Sequence, residues 1–247
     1  MMVAHSTDLD PDGLLRRYLG DRRFLLALPR AVGLQMLHPA LAAGMEHSRT
    51  PRRLWLHKRH TVPILIRMAY DDTDLSSIIR RGHEHIKGVD DLGRRYHSLN
   101  PDLFQFQHAT YVETLVTMIE TFVRPLTDRD REDLYRDCGA WYRRYGISDR
   151  GLPDTWAGFS GWFDDTCRTV LHRTSRGDFY RDQILRPRDW VPRGVPTRAV
   201  RGLMHPIAQE MWGVEVTAAD RRALRRYVLR RKAVAALSRR SSDAPRL

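Results

Sequence analysis

The residues of this chain best suited to chemistry are histidines in segments that the sequence predicts to be helical. His83 and His85 stand in the segment His83-Glu84-His85-Ile86-Lys87-Gly88, and His108 lies in an apolar stretch that begins at Asn100-Pro101. Imidazole suits a haem iron or another borderline metal. The chain has no phosphate-binding loop, nucleophile elbow or dinucleotide fingerprint. The pattern therefore indicates first a haem or metal protein.

The spacing of His83 and His85 argues against a metal ion held by both. On a helix over residues 73–87, the two side chains fall about 80° on either side of the apolar centre. Side chains two positions apart diverge, whereas a zinc pair uses a spacing of three or four. A single axial ligand of a haem fits this geometry better. Periodicity does not choose between the two histidines, and a packed or surface histidine is the commoner alternative.

Two further groups of side chains are candidates for a ligand pocket. His108 belongs to the apolar stripe of its helix and should face the core, where a histidine bonded to a carbonyl is the alternative. The cluster His57-Lys58-Arg59-His60-Thr61 directly precedes the apolar segment Val62–Met68. It would supply hydrogen-bond donors beside a ligand or haem propionate, or form an ordinary solvated helix start.

Sulfur chemistry is excluded as the basis of a metal site. Cys138 and Cys167 are the only cysteines. They are too few for a disulfide framework, a four-thiolate zinc site or an iron–sulfur cluster. We interpret both as buried free thiols on helices. A metal site would have to use histidine and carboxylate.

The elements that must position these residues are predicted to be helical almost throughout. The predicted helices cover residues 31–46, 73–87, 101–123, 127–146 and 154–174, followed by a basic helix that starts at 217. The Pro-rich segment 185–196 is predicted to be a loop. No alternating strand pattern and no internal repeat is found. The fold class is therefore predicted to be all-α, in a single domain.

Local signals fix several of these helix ends. Pro39 should kink the first helix, and Gly88 should stop the second. Asn100 should cap the third, and Thr127-x-x-Asp130 should open the fourth as a capping box. Asp154 is predicted to cap the fifth helix.

The net charge of +12 is concentrated at the end of the chain. Residues 221–247 contain ten Lys or Arg and one acid, Asp243, which leaves only +3 for residues 1–220. A basic helix of this kind can bind nucleic acid or an acidic membrane surface, or dock on the body with a solvated face. No helix-turn-helix pattern is present, and nucleic acid is not expected as a partner.

Length and hydropathy indicate where in the cell the protein is expected. The chain has 247 residues and 42% hydrophobic residues, enough for a full core. No apolar run approaches the roughly 20 residues of a membrane span, and residues 1–6 lack the features of a secretory signal. We expect a cytoplasmic protein without a membrane span.

Several short motifs occur in an order that resembles a known family. They are Leu25-x-x-x-Pro29-Arg30, Leu34-Gln35-x-x-x-His38-Pro39-x-x-Ala42-x-Gly44, His47-Ser48, Thr61, His83-x-His85-Ile86-x-Gly88, Tyr96-x-x-x-Asn100-Pro101, Gln107-His108-Ala109-Thr110, Leu152-Pro153 and the stretch from Trp156 to Phe163. Each motif is weak alone, but the ordered set resembles the MpaB-type oxygenases, which share a catalytic domain with the rubber oxygenase called latex-clearing protein. The resemblance covers residues 15–185, and more loosely extends to 237.

The resemblance implies an all-helical domain over residues 15–237 with a globin-like core that holds haem b. Tails of 1–14 and 238–247 would flank this domain. The histidine of the family's His-x-x-Ile/Val-x-Gly motif would be the axial ligand, which selects His83 and leaves His85 as the fallback. The family also places an arginine four residues before a motif threonine. That threonine is Thr61 here, but the arginine position holds His57, which lacks a permanent charge.

The function that the resemblance implies is oxygenation. In the latex-clearing branch, a haem iron activates dioxygen and a carbon–carbon double bond is cleaved to two carbonyls. We expect a haem b-dependent oxygenase of an apolar, unsaturated small molecule, with His57 and Thr61 as catalytic residues. His83, His108, Arg53 and Arg59 would bind the cofactor. The alternatives are a basic helical binding module, and a family member with a non-haem metal or no catalysis.

Overall fold

Twelve α-helices build the fold in the computed structural model, which describes residues 9–71 and 73–240. They are α1 (Leu14–Tyr18), α2 (Arg22–Leu37), α3 (Pro39–Gly44), α4 (Leu54–Arg67), α5 (Ser76–His83), α6 (Pro101–Phe122), α7 (Asp128–Arg143), α8 (Trp156–Val170), α9 (Ser175–Leu185), α10 (Thr197–Leu203), α11 (Pro206–Met211) and α12 (Ala218–Arg240). Two short 3-10 turns, Met45–His47 and Val191–Gly194, complete the helical part. The predicted all-α class is confirmed.

The centre of the fold is the pair α2 and α6, whose residues are buried along nearly their whole length. Apolar residues occupy most positions around both helices, which makes each a core helix rather than an amphipathic surface helix. One buried ion pair joins them, with Arg30 Nη2 lying 2.6 Å from Glu113 Oε1. The other helices pack around this pair.

Pro39 breaks the first predicted helix instead of kinking it. The helix predicted over 31–46 is two helices, α2 and α3, which meet at 99°. His38 between them has extended backbone, with φ −82° and ψ 116°. A proline disfavours helical backbone in the residue before it, and Pro39 then fits the first turn of α3. The sharp corner places His38 at the junction.

The helix predicted over 73–87 ends early, and its last residues form a strand. α5 stops at His83, and Lys87–Val89 (β1) pairs antiparallel with Arg95–His97 (β2), so that Gly88 faces Tyr96. This hairpin corrects the prediction that the chain has no strands. A Cβ on Gly88 would come within 3.2 Å of the Tyr96 hydroxyl, so the tyrosine ring lies directly over the glycine.

The hairpin is tied to the body by one arginine of α9. Arg176 Nη1 donates to Asp91 Oδ1 at 2.6 Å, and Arg176 Nε donates to Glu46 Oε1 at 2.9 Å. The backbone N–H of Arg176 donates to Asp91 Oδ2 as well. These bonds join the hairpin turn, the Met45–His47 turn and α9, and they fix the segment that follows His83.

The remaining helix signals are largely confirmed. The side chain of Asn100 accepts from the Asp102 N–H, and Thr127 with Asp130 makes a full capping box. The cap of α8 is Thr155, whose hydroxyl accepts from the Gly158 N–H, so the prediction of Asp154 was wrong by one residue. The predicted loop 185–196 contains the 3-10 turn Val191–Gly194. Cys138 and Cys167 are buried free thiols.

No single helix within residues 9–71 and 73–240 is both long and apolar enough to cross a bilayer. By length and composition alone, the bent pair Arg22–Leu37 and Pro39–His47 meets that requirement together. Of the two predicted tails, residues 1–8 and 241–247 lie outside the part of the chain that the structure describes.

Candidate functional site

Helix α4 presents three of the predicted site residues on one face. Arg53, His57 and Thr61 are spaced by four, so they follow one another along the helix surface. Arg53 is the residue before the helix and is exposed, whereas His57 and Thr61 are half-buried. The Thr61 hydroxyl donates to the His57 carbonyl at 3.1 Å. Its lone pairs stay available to accept a hydrogen bond from a ligand.

Both ends of α4 are anchored, which holds this face in place. Near the start, Trp55 Nε1 donates to the Gln183 carbonyl of α9 at 2.7 Å. Near the end, Trp141 Nε1 of α7 donates to the Leu65 carbonyl at 2.8 Å. Both are buried indole bonds, which give the helix a fixed orientation rather than loose packing.

His57 is an uncharged histidine in this structure. Its Nδ1 lies 2.8 Å from the hydroxyl of Ser48, in the turn after α3. Burial, together with the nearby charge of Lys58, lowers the pKa of His57 to about 3. His57 is therefore a neutral hydrogen-bonding group that Ser48 orients.

His83 is the last residue of α5, and its ring is held by one hydrogen bond and one aromatic contact. Its Nδ1 lies 2.8 Å from the carbonyl oxygen of Ile79, and because a carbonyl only accepts, Nδ1 carries the proton. The ring packs edge-on against Phe104 of α6 at a centroid distance of 5.0 Å. Burial lowers the pKa of His83. The imidazole is thus neutral at pH 7, and Nε2 keeps its lone pair.

The other predicted candidates lie apart from this pair. His85 is exposed in the turn after α5, and Arg59 is exposed on α4, about 160° around the helix from Thr61. Arg53 lines a cleft of about 390 Å³ at the start of α4. That cleft is lined by Arg53, Trp55, Leu56, Asp182, Gln183, Arg186, Arg188 and Asp189. Neither His57 nor His83 belongs to its lining.

His108 has the arrangement of a packed core histidine, the alternative that the sequence left open. Its Nε2 donates to the Cys138 carbonyl at 3.0 Å, and its Nδ1 accepts from the Tyr145 hydroxyl at 3.2 Å. Trp141 and Tyr142 pack edge-on against the ring. Burial lowers the pKa of His108 to about 3. With both nitrogens engaged, His108 joins α6 to α7.

Lys58 was predicted only as one donor of the cluster over residues 57–61, and its burial between helices was not predicted. Lys58 is 5% exposed and donates from Nζ to Gln35 Oε1 of α2 at 2.6 Å. Gln35 Nε2 in turn donates to Thr110 Oγ1 of α6 at 2.7 Å. Burial lowers the pKa of Lys58 to about 8. Its spacing of four from Leu54 and Val62, both buried, is a signal that could have found it.

His38, at the corner between α2 and α3, is a second buried polar group that the predictions left out. Its Nδ1 has no hydrogen-bond partner among the described residues, although the atom is fully buried. The ring packs against Phe106 at 5.1 Å. Burial lowers the pKa of His38 to about 4, with Arg94 acting in the same direction. An orphaned buried nitrogen of this kind is rare in a protein core.

The histidines do not gather into a multidentate metal site. Within the described part of the chain, no three His, Cys, Asp or Glu side chains are placed to hold one metal ion. The best oriented donor among the described histidines is the single imidazole of His83, whereas zinc and non-haem iron centres use three or more protein ligands.

Comparison with known proteins identifies the family. The sequence model described as "ER-bound oxygenase mpaB/B'/Rubber oxygenase, catalytic domain" matches residues 16–233. The chain belongs to this family. The match covers most of the 247 residues and confirms the family resemblance that the motifs indicated. No curated protein and no solved structure matches the chain.

Membership of this family supports an oxygenase, and hence an oxidoreductase, as the class of activity. An oxygenase of this kind acts on a small molecule together with dioxygen. The family match spans α4, α5 and α6, so His57, Thr61 and His83 all lie within the matched catalytic domain.

Proposed function

We propose that this protein is a haem b-dependent oxygenase of an apolar, unsaturated small molecule, with His83 as the axial ligand. The observation that carries the proposal is the bond from His83 Nδ1 to the Ile79 carbonyl. A histidine that ligates a metal almost always donates its other nitrogen to a carbonyl or carboxylate, which fixes the tautomer and the ring orientation. His83 meets that requirement before any metal is bound.

The residues at the site fit a haem in chemical terms. His83 would hold the iron, and His57 and Thr61 would contribute polar groups on α4. When bound, haem supplies the iron chemistry that allows dioxygen to react with a carbon–carbon double bond. The protein would orient the ring, exclude water and set the polarity around the reacting oxygen. Arg53 and Arg59 are exposed, so either would meet a propionate only at the protein surface.

Polarity around the site would differ from that of relatives with arginine at the His57 position. His57 is neutral at pH 7 because burial lowers its pKa to about 3. It can donate or accept one hydrogen bond, but it adds no fixed charge. Lys58, one residue further along α4, is the nearest buried cation in sequence. We infer that Lys58 carries part of the electrostatic role that an arginine would have.

Two observations support the proposed substrate class. The family description includes rubber oxygenases, and rubber is a hydrocarbon polymer rich in double bonds. An apolar alkene needs no charged recognition group, which agrees with the neutral imidazoles. A non-haem metal is the weaker candidate, since the described residues offer no cluster of three ligands.

The test is metal and cofactor analysis followed by an oxygen-uptake assay. Protein from haem-replete cells is expected to contain one iron per chain and to give a haem b spectrum in alkaline pyridine. It should then consume dioxygen only when an apolar alkene is supplied, with carbonyl products seen by mass spectrometry. Zinc or copper without porphyrin would contradict the proposal. Haem without oxygen uptake on any alkene would contradict the reaction while leaving the cofactor supported.

A further inference from the structure

The last helix presents a surface that the oxygenase site does not use. On α12, the residues Arg222, Arg225, Arg226, Arg230 and Lys232 are all exposed, and we call this set the basic face. It extends over three turns of helix.

Two leucines on the same helix are exposed together with the basic face. Leu229 is 66% exposed and Leu237 is 65% exposed, and Val234 is 46% exposed. Isolated exposed leucines are ordinary on a protein surface, but here they share one helix with the densest positive charge in the chain.

α12 docks on the body through the side that faces away from Leu229. Leu224 packs directly over Gly202 of α10, where a Cβ would meet the leucine at 3.3 Å. Tyr227 packs edge-on against Phe122 of α6 at 6.2 Å and accepts a hydrogen bond from Arg231 Nε at 3.1 Å. The helix is therefore held without any contribution from the basic face.

The cations of the basic face have no carboxylate partners. Among the described residues, no Asp or Glu oxygen lies within 4.0 Å of any of the five, in contrast to Arg131, which lies 2.6 Å from Glu120. Unpaired surface charge of one sign attracts a partner of the opposite sign.

The arrangement around Leu229 decides between the kinds of acidic partner. At 100° per residue, Arg222, Arg225, Arg226 and Lys232 all lie within about 60° of Leu229 on the helix surface. A leucine in the middle of a basic face gains nothing from a phosphate backbone, which is recognised by cations and polar groups. At a lipid surface, the leucine would enter the acyl boundary while long basic side chains reach the headgroups.

We propose that the basic face of α12, with Leu229 and Leu237, docks this protein on an anionic phospholipid surface. The interaction is peripheral, with the helix lying in the plane of the interface. It does not depend on the presence of haem or on the identity of the substrate. It would place an enzyme for apolar molecules next to the phase in which such molecules dissolve.

The first test is sedimentation of the full chain with vesicles of 30% phosphatidylglycerol in phosphatidylcholine, and with pure phosphatidylcholine. We expect binding only to the anionic vesicles, and less at high salt. Each cation near an acidic surface contributes about fivefold in affinity, so the triple variant Arg222→Gln, Arg225→Gln, Arg226→Gln should lose on the order of 100-fold. No binding of the unmodified chain at low salt would overturn the proposal.

A matched control distinguishes the effect of the basic face from the effect of the net charge of the protein. The triple variant Arg129→Gln, Arg150→Gln, Arg168→Gln removes three exposed arginines on other surfaces. It should bind anionic vesicles nearly as well as the unmodified chain. An equal loss in both triple variants would show attraction of the whole molecule and would contradict the assignment to α12. Circular dichroism of each variant establishes that it is folded.

A second readout tests the leucines. Because Cys138 and Cys167 are buried, a Leu229→Cys variant can be labelled at that position with an environment-sensitive dye. A blue shift of the dye on anionic vesicles is expected, and an unchanged emission would contradict insertion. The Leu229→Ala and Leu237→Ala variants should each weaken vesicle binding on the order of tenfold. If the protein instead binds a 30-base-pair DNA duplex more tightly than anionic vesicles at the same salt, and neither leucine variant weakens that binding, the basic face would be assigned to nucleic acid.

Discussion

Replacing Lys58 by methionine tests the buried amine beside the candidate site. Lys58 is 5% exposed, and its one described hydrogen bond goes to the neutral Gln35. Burial lowers the pKa of its amine from 10.5 to about 8. At pH 7 the charged amine therefore costs the folded state about 3 kcal/mol relative to an exposed lysine. Methionine has a similar length and removes that cost.

The pKa of Lys58 determines how the stability of the folded protein changes with pH. As pH rises above 8, the folded protein releases the Lys58 proton, whereas the unfolded chain keeps it until about 10.5. The unfolded state then binds more protons, so the folded state gains stability with pH in this window. From pH 7 to pH 9.5, this recovers about 2 kcal/mol. The advantage of Lys58→Met should therefore be largest at pH 7 and shrink by that amount at pH 9.5.

The assay is urea unfolding of both proteins, monitored by circular dichroism, at several pH values between 7 and 9.5. Loss of the partner of Gln35 costs about 1–3 kcal/mol, but it does so equally at every pH. Contributions of tyrosines and cysteines are common to both proteins and cancel in the difference. The neighbouring exposed variant Arg59→Met should show no such pH dependence. A difference between Lys58→Met and the unmodified protein that is constant with pH would refute the reasoning.

Three other perturbations have defined outcomes. Gly177→Ala should destabilise by at least about 2 kcal/mol in urea unfolding, because its Cβ would overlap the Met36 carbonyl oxygen; a neutral result would contradict the close contact. Glu113→Ala should cost on the order of 3–5 kcal/mol by leaving buried Arg30 unpaired, and the double variant with Arg30→Met should recover part of it. His57→Arg should raise the reduction potential of a bound haem by on the order of tens of millivolts, because it adds a permanent positive charge; an unchanged potential in spectroelectrochemistry would place His57 away from the iron.

Helices with strong local signals could be predicted from the sequence, and α6 is the clearest case. Asn100 and Pro101 supply the cap and the first turn, and both act on backbone groups within a few residues. The capping box of Thr127 and Asp130 has the same local character. Such signals do not depend on the rest of the fold, so they can be read without it.

The hairpin could not be predicted because its stabilising contacts are distant in sequence. β1 and β2 have three residues each, too few for a visible alternation, and both are mostly exposed. What holds them is the contact of Tyr96 with Gly88 and the bonds of Arg176, which lies 85 residues after Asp91. No window of local sequence contains that information.

The site residues were predicted mainly through the family resemblance. It drew attention to His57 and Thr61, and it favoured His83, which is half-buried, over the exposed His85. The partners that give these residues their chemistry could not be read from the sequence. Ser48 reaches His57 across a turn, and Gln35 reaches Lys58 from another helix. Both are tertiary contacts.

The central claim is that His83 ligates a haem iron, and an absorption spectrum tests it most directly. Protein purified from haem-replete cells should show a Soret band that shifts when dithionite reduces the iron. The His83→Ala variant should lose or strongly weaken this band, while His85→Ala, which changes an exposed histidine two residues away, should keep it. A colourless protein that takes up no added haem, or an unchanged Soret band in His83→Ala, would contradict the account.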